Sequence, residues 1–188
     1  MDFKTISLPD FVQEHILTKD ILYFREITSL EEFENIEQIE ALAVLIVNKG
    51  KLTINSNERQ IIARKHDLIS LPFSLIKHGN ISNGTFEWSM IALSKNFLFG
   101  ILSNTRIKWS NLVNIKQFNP LVHLDDNILQ IMHDYKRLFQ HRLTLQTSDK
   151  YDSSTSSLVL AMLSDLFCYC KQNGYADLDE SNEPVRQC

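Results

Sequence analysis

Six histidines, His15, His66, His78, His123, His133 and His141, are the side chains of this sequence best suited to metal ligation or proton transfer. A metal site on a strand pairs two histidines one residue apart, because only alternate residues of a strand face the same side. No two of the six have that spacing. His66 and His78 with Glu87 could still converge in space, but a transition-metal site built on them would be nonstandard. Other catalytic signatures are missing too. The five glycines form no phosphate-binding loop, and neither a His-Glu-x-x-His nor a Gly-x-Ser-x-Gly motif occurs. A cyclic-nucleotide sensor needs a Gly-Glu turn and a phosphate-binding arginine, which the segment from Gly84 to Lys95 lacks. His133, Arg137 and His141 share one helix face by their four-residue spacing, but that face is the polar one and reads as a solvated stripe. The expectation is no catalytic residue, no metal and no cofactor.

What the pattern does offer is a pocket of apolar walls with a few placed polar groups, the usual make-up of a small-ligand site. Phe86, Trp88 and Met90 alternate on one face of a strand, with Glu87 and Ser89 on the other. Trp88 and Met90 are the expected wall residues. Tyr23, Arg25, His66 and His78, each in or beside an otherwise apolar strand, are the expected polar contacts.

These residues must be positioned by the strands around them. Ala41 to Pro72 reads as consecutive short strands: an apolar run from Ala41 to Val47, a turn at Asn48-Lys49-Gly50, then Lys51 to Asn55, Arg59 to Ala63 and Asp67 to Leu71. Ile21 to Ile27, Leu75 to His78 and Phe86 to Leu93 add further strands, with Asn83-Gly84 as a hairpin signal before the last. Such a meander predicts a small antiparallel β-barrel. The glutamate-rich stretch Ser29 to Glu40 reads as an exposed loop or edge.

After residue 93 the period changes from 2 to 3.6. Ser94 is placed to cap a short helix whose Phe97, Leu98, Ile101 and Leu102 share a face. A second, amphipathic helix starts at Asp125 or Asp126. Thr105 to Leu124, with Pro120, reads as a loop with short extended pieces. The last helix runs from Leu158 to about Lys171, capped within the serine run Asp152 to Ser157 and stopped at Asn173-Gly174. Its apolar residues wrap more than half the circumference, so it is either wedged between two surfaces of its own chain or buried against a partner. Leu158, Met162, Leu163, Leu166 and Tyr169 are the expected dimer contacts. Four parts follow: an arm at 1–19, a barrel core at 20–93, a helical dimerisation region at 94–173 and a polar linker at 174–188.

Composition is consistent with this plan. A chain of 188 residues with 44% hydrophobic and 22% charged residues folds without staples. Its net charge of −4 and pI near 5.8 argue against nucleic-acid binding by this chain itself. Arg106, Lys108 and Lys116 are the nearest approach to a basic patch, and read as solvated surface. Three cysteines, Cys168, Cys170 and Cys188, make no disulfide framework. Cys168 and Cys170 point in different directions on a helix and read as buried small hydrophobes, in a reducing compartment. No apolar run approaches the ~20 residues of a membrane span and no signal peptide is evident, so a cytoplasmic location is expected.

The segment IEALAVLIVNKGKLTINSN, the KHDLISLP that follows, FEWSMIALSKNFL and the helix SLVLAMLSDLFCYCKQ together resemble the N-terminal regulatory domain of AraC/XylS-type transcription regulators, of the sort found in Bacteroides-like bacteria. The resemblance covers about residues 20 to 172. It implies a cupin-like barrel (a double-stranded β-helix) followed by two or three helices, mainly β with α. It further implies an unidentified small-molecule effector, a homodimer through the C-terminal helices, and promoter DNA bound only through a C-terminal pair of helix-turn-helix units absent from this chain. The rival reading is a small cupin-type metalloenzyme, an isomerase or dioxygenase, with a nonstandard site on His66 and His78.

Overall fold

The computed structural model describes residues 10–34, 39–55, 60–81, 85–103, 121–145 and 152–173. Strands β1 (Ile16–Thr18), β2 (Ile21–Ile27), β3 (Ala41–Lys49), β6 (Asp67–Pro72), β8 (Glu87–Ser94) and β9 (Leu121–His123) build a larger sheet in the order β1-β2-β8-β3-β6-β9. Strands β4 (Lys51–Asn55), β5 (Gln60–Arg64) and β7 (Gly79–Ile81) build a smaller one, β5-β4-β7. Every pairing is antiparallel. Among the described residues the two sheets share no ladder, so two facing sheets stand where one closed barrel was expected.

The chain passes from the larger sheet to the smaller at Gly50 and back at His66, and both residues have positive φ, 83° and 71°. Gly50 has a steric reason for its identity. A Cβ there would lie 2.8 Å from the Thr85 carbonyl oxygen, on backbone that cannot give way. At the return turn the His66 N–H donates to the Val47 carbonyl at 2.8 Å, tying it to the end of β3.

The larger sheet is buried on both faces, which explains the unbroken apolar run of β3. Register sorts its side chains: Phe24 stands opposite Met90, and Tyr23 opposite Ile91. Phe24, Leu45, Ile69, Trp88 and Met90 point between the sheets, where they meet Leu52, Ile54 and Ile61 of the smaller sheet. Ile21, Tyr23, Leu42, Val44, Ile91 and Leu93 point outward, to the helices. Full burial of one such side chain contributes roughly 1.5–3 kcal/mol.

Several segments differ from their sequence reading. Leu75 to His78, expected as a strand, belongs to a 3-10 helix (Phe73–His78) that turns Phe73 and Ile76 into the core. The glutamate-rich segment is not a mere exposed loop: Glu31–Glu34 is a one-turn helix, α2, and Leu30, Phe33 and Ile39 are buried. Within the expected arm, Asp10–Gln13 forms α1 and residues 16–18 form edge strand β1, with Val12 and Leu17 buried. Asn83-Gly84, the patch Arg106, Lys108 and Lys116, and the linker 174–188 lie outside the described residues.

Three longer helices follow. Ser94 caps α3 (Lys95–Ser103) by accepting the Phe97 N–H at 3.1 Å, while its own hydroxyl donates to Asp20. Asp125 caps α4 (Asp126–Thr144), its carboxylate accepting the N–H groups of Asn127 and Ile128. The last helix, α5 (Asp152–Asn173), starts six residues earlier than expected. Its serines lie inside the helix rather than capping it. Ser157 Oγ donates to the Ser153 carbonyl, one turn back, which satisfies a hydroxyl that would otherwise compete for the cap.

Candidate functional site

Between the two sheets the described side chains pack closely. The rings of Phe24, Phe33, Phe73 and Trp88 pack with centroids 5.2 to 6.2 Å apart, so aromatic side chains occupy the centre of the sandwich. The open cleft lies instead on the other face of the larger sheet, under α4. Its floor is Tyr23, Val44, Ile46, Asn48, Ser89, Met90 and Ile91; α4 contributes Leu129, Met132, His133, Lys136 and Phe139; Met162 and Leu166 of α5 close one end. Its free volume is about 60 Å³.

Alternation along the strands gives the cleft two chemically distinct ends. At depth, the Tyr23 hydroxyl is buried and meets no hydrogen-bond partner among the described residues, and its ring packs on Phe139 at 5.3 Å. Burial pushes this phenol well above its ordinary range; the Arg25 charge opposes the shift and that of Glu26 adds to it. Tyr23 is therefore a neutral hydroxyl with a hydrogen to donate. At the mouth, Lys136 lies with its ammonium 3.6 Å from Oε1 of Glu26. Glu26 reaches that position through a β-bulge in β2, where its φ is 49°. Asn48 is committed: its amide donates to Glu87 at 3.2 Å and to Ser89 at 3.1 Å.

The expected ligand contacts whose side chains are described do not come together. Tyr23 lines the cleft; Met90 borders it, but its side chain points between the sheets with that of Trp88, which is fully buried there and whose indole N–H meets no partner among the described residues. Arg25 is exposed and pairs with its neighbour Glu26 at 3.3 Å. His66 sits at the β5–β6 turn, its ring 6.3 Å from that of His123. His78 ends the 3-10 helix, and its side chain lies outside the described residues. Glu87 is engaged by Asn48, and no cluster of three metal-ligating side chains occurs among the described residues. Lys136 and His133 are cleft residues with a basic side chain that the sequence reading missed. His133, which its spacing places on a solvated stripe, is exposed and lies at the cleft's edge.

The expected dimer contacts also separate. Met162 and Leu166 are buried in the core between helix and sheet, and Leu158, Leu163 and Tyr169 are half-buried. The Tyr169 hydroxyl accepts from the Asp125 N–H at 3.0 Å and donates to the His123 carbonyl at 3.1 Å, locking α5 to the start of α4. The large apolar residues exposed on α5 are Leu160 and Phe167, one heptad apart. Cys170 is buried but Cys168, expected to be buried, is exposed.

The fold and the cleft define a two-sheet β-sandwich carrying a helical layer, with a small-molecule-sized opening between layer and sheet. Among solved structures the chain resembles a single-site variant of apo ToxT from Vibrio cholerae, at a TM-score of 0.50 and 9% identity, over 87% of this chain and 60% of that one. The AraC-like transcriptional activator CuxR gives 0.45 and 11%, over 77% and 52%. Wild-type Vibrio cholerae ToxT with a bound unsaturated fatty acid gives 0.41 and 8%, over 81% and 53%. Both proteins are regulators of the AraC family. The chain spans about 60% of the length of the first of these structures. No sequence family and no curated protein matches it by sequence. No helix among the described residues is long and apolar enough to cross a membrane.

Proposed function

We propose that this chain is the effector-binding and dimerisation domain of an AraC-type transcription regulator, cytoplasmic and not an enzyme, with promoter DNA bound by a further domain outside it. The observation that carries this reading is the fold shared with ToxT over 87% of the chain. The sequence resemblance of IEALAVLIVNKGKLTINSN and its companion segments to AraC/XylS-type regulators supports the same reading. The effector site is the cleft under α4, because between the sheets Phe24, Phe33, Phe73 and Trp88 pack closely.

An effector in that cleft touches β2, β3 and β8 on one side and both long helices on the other. It therefore acts on the placement of α4 and α5 relative to the sheet. It shifts that placement only as far as it binds the two arrangements with different affinity. Dimerisation uses the outward flank of α5, Leu160 and Phe167, since Met162 and Leu166 are already spent on the chain's own core.

A fusion of this chain to a DNA-binding domain that represses only as a dimer tests the reading in a reporter strain. Repression, altered by Lys136→Met or by an added effector, is the expected result. A fusion that does not repress, while folded and expressed, removes the dimerisation role.

A further inference from the structure

We infer that the cleft under α4 takes a small organic monoanion with an apolar body, its charged end held at the mouth by Lys136 and a neutral oxygen at its far end accepting from Tyr23. The inference rests on the reading of this cleft as the effector site.

The first support is Tyr23. The residue is 4% exposed, lines the cleft and has no partner for its hydroxyl among the described residues. An unpaired buried hydroxyl costs roughly 1–3 kcal/mol, and a phenylalanine would fill the same space against Phe139 without that penalty. A donor kept at this depth selects an acceptor. The surrounding Ile91, Phe139 and Leu166 make that acceptor a neutral oxygen, because an ionised group there would lose its hydration. Burial also keeps the phenol protonated, so the donor is present throughout the physiological range.

The second support is the charge at the mouth. The Lys136 side chain is 17% exposed, its stem lies along the cleft, and its partner Glu26 is 44% exposed at 3.6 Å. An ion pair this long and this open is weak, so a ligand's anionic group can take the ammonium from it. His133 is the other cationic candidate at that edge, and Arg25 is turned to Glu26. Glu26 and Glu87 stand near the same edge, which disfavours a second negative charge on the ligand. A monoanion fits; a dianion such as a phosphate ester does not. The volume of about 60 Å³ is well below the ~300 Å³ of drug-sized pockets, so the body is a short chain or a single ring.

Calorimetry on the purified chain with four probes tests this. 5-Oxohexanoate carries both features, hexanoate lacks the distal oxygen, 2-hexanone lacks the charge, and glutarate places a second charge where the neutral oxygen belongs. The expected order is 5-oxohexanoate first, with hexanoate weaker by about fivefold, in line with one hydrogen bond, and 2-hexanone and glutarate weaker still. Tyr23→Phe should bring 5-oxohexanoate down to the affinity of hexanoate while leaving hexanoate unchanged. Lys136→Met should weaken both acids and leave 2-hexanone unchanged. The inference is overturned if none of the probes binds at millimolar concentration, or if Tyr23→Phe, with unchanged circular dichroism and melting, leaves the ratio of the two acids as it was. These measurements need no DNA-binding domain, so their failure is separate from a failure of the reporter fusion.

Discussion

The Tyr135 hydroxyl of α4 donates to Oδ2 of Asp165 on α5 at 2.7 Å, a side-chain bond that joins the two helices covering the larger sheet. Burial first, and then this bond and the Asp165 charge, push the Tyr135 phenol from its ordinary 10.0 up to about 12. The folded state thus holds the proton more tightly than the unfolded chain does. The contribution is complete below pH 10 and is lost as pH rises from 10 to about 12. Tyr135→Phe and Asp165→Asn should each lower stability by about 0.5–1 kcal/mol in urea unfolding at pH 7. A double variant no worse than either single one would show that the two act as a pair.

Gly50 makes a sharper case. With φ at 83° and the Thr85 carbonyl oxygen 2.8 Å from where a Cβ would stand, Gly50→Ala strains both the backbone and the crossing between the sheets. The left-handed conformation alone costs about 1–2 kcal/mol for a residue with a side chain. The urea midpoint should fall by at least the equivalent of that figure. An unchanged midpoint would mean that the crossing from β3 to β4 rearranges freely.

The strands from Ala41 to Pro72 were legible because turn residues punctuate them and β4 and β5 alternate cleanly. The faces of the larger sheet were not. β3 and the second half of β8 are buried on both sides, and although Phe86, Trp88 and Met90 alternate with Glu87 and Ser89, nothing in that alternation says which layer each face of the sheet meets. That is why Trp88 was grouped with Tyr23 although the sheet lies between them. Phe33 was hidden for another reason: a one-turn helix among glutamates is too short to show a 3.6 period. Lys136 was equally hidden, since a lysine on an amphipathic helix looks solvated until the β-bulge that carries Glu26 is seen opposite it.

Phe33 itself gives a direct test of the close-packed interior. It is 2% exposed and lies 5.2 Å from Phe24 and 5.5 Å from Trp88 between ring centroids. Phe33→Ala should cost about 3–5 kcal/mol by emptying that space, read by urea unfolding. An exposed-loop residue would cost within about 0.5 kcal/mol. Trp88 emission should shift to the red in the variant as water reaches the opened core.

Leu166 and Phe167 are neighbours in sequence with opposite surroundings, 5% and 44% exposed on α5. Leu166 packs with Met162, Phe139 and Tyr23 in the core between helix and sheet, so Leu166→Asp buries an unpaired charge. It should cost at least about 3 kcal/mol and unfold much of the protein. Phe167 points away, on the flank that also carries Leu160, and Phe167→Asp should leave the stability of the monomer within about 0.5 kcal/mol. If the proposed dimer forms through that flank, sedimentation will show the Phe167→Asp protein as a folded monomer and the unaltered chain as a dimer. A folded Phe167→Asp dimer would move the interface off this flank. A monomeric unaltered chain would leave Leu160 and Phe167 without the role assigned to them.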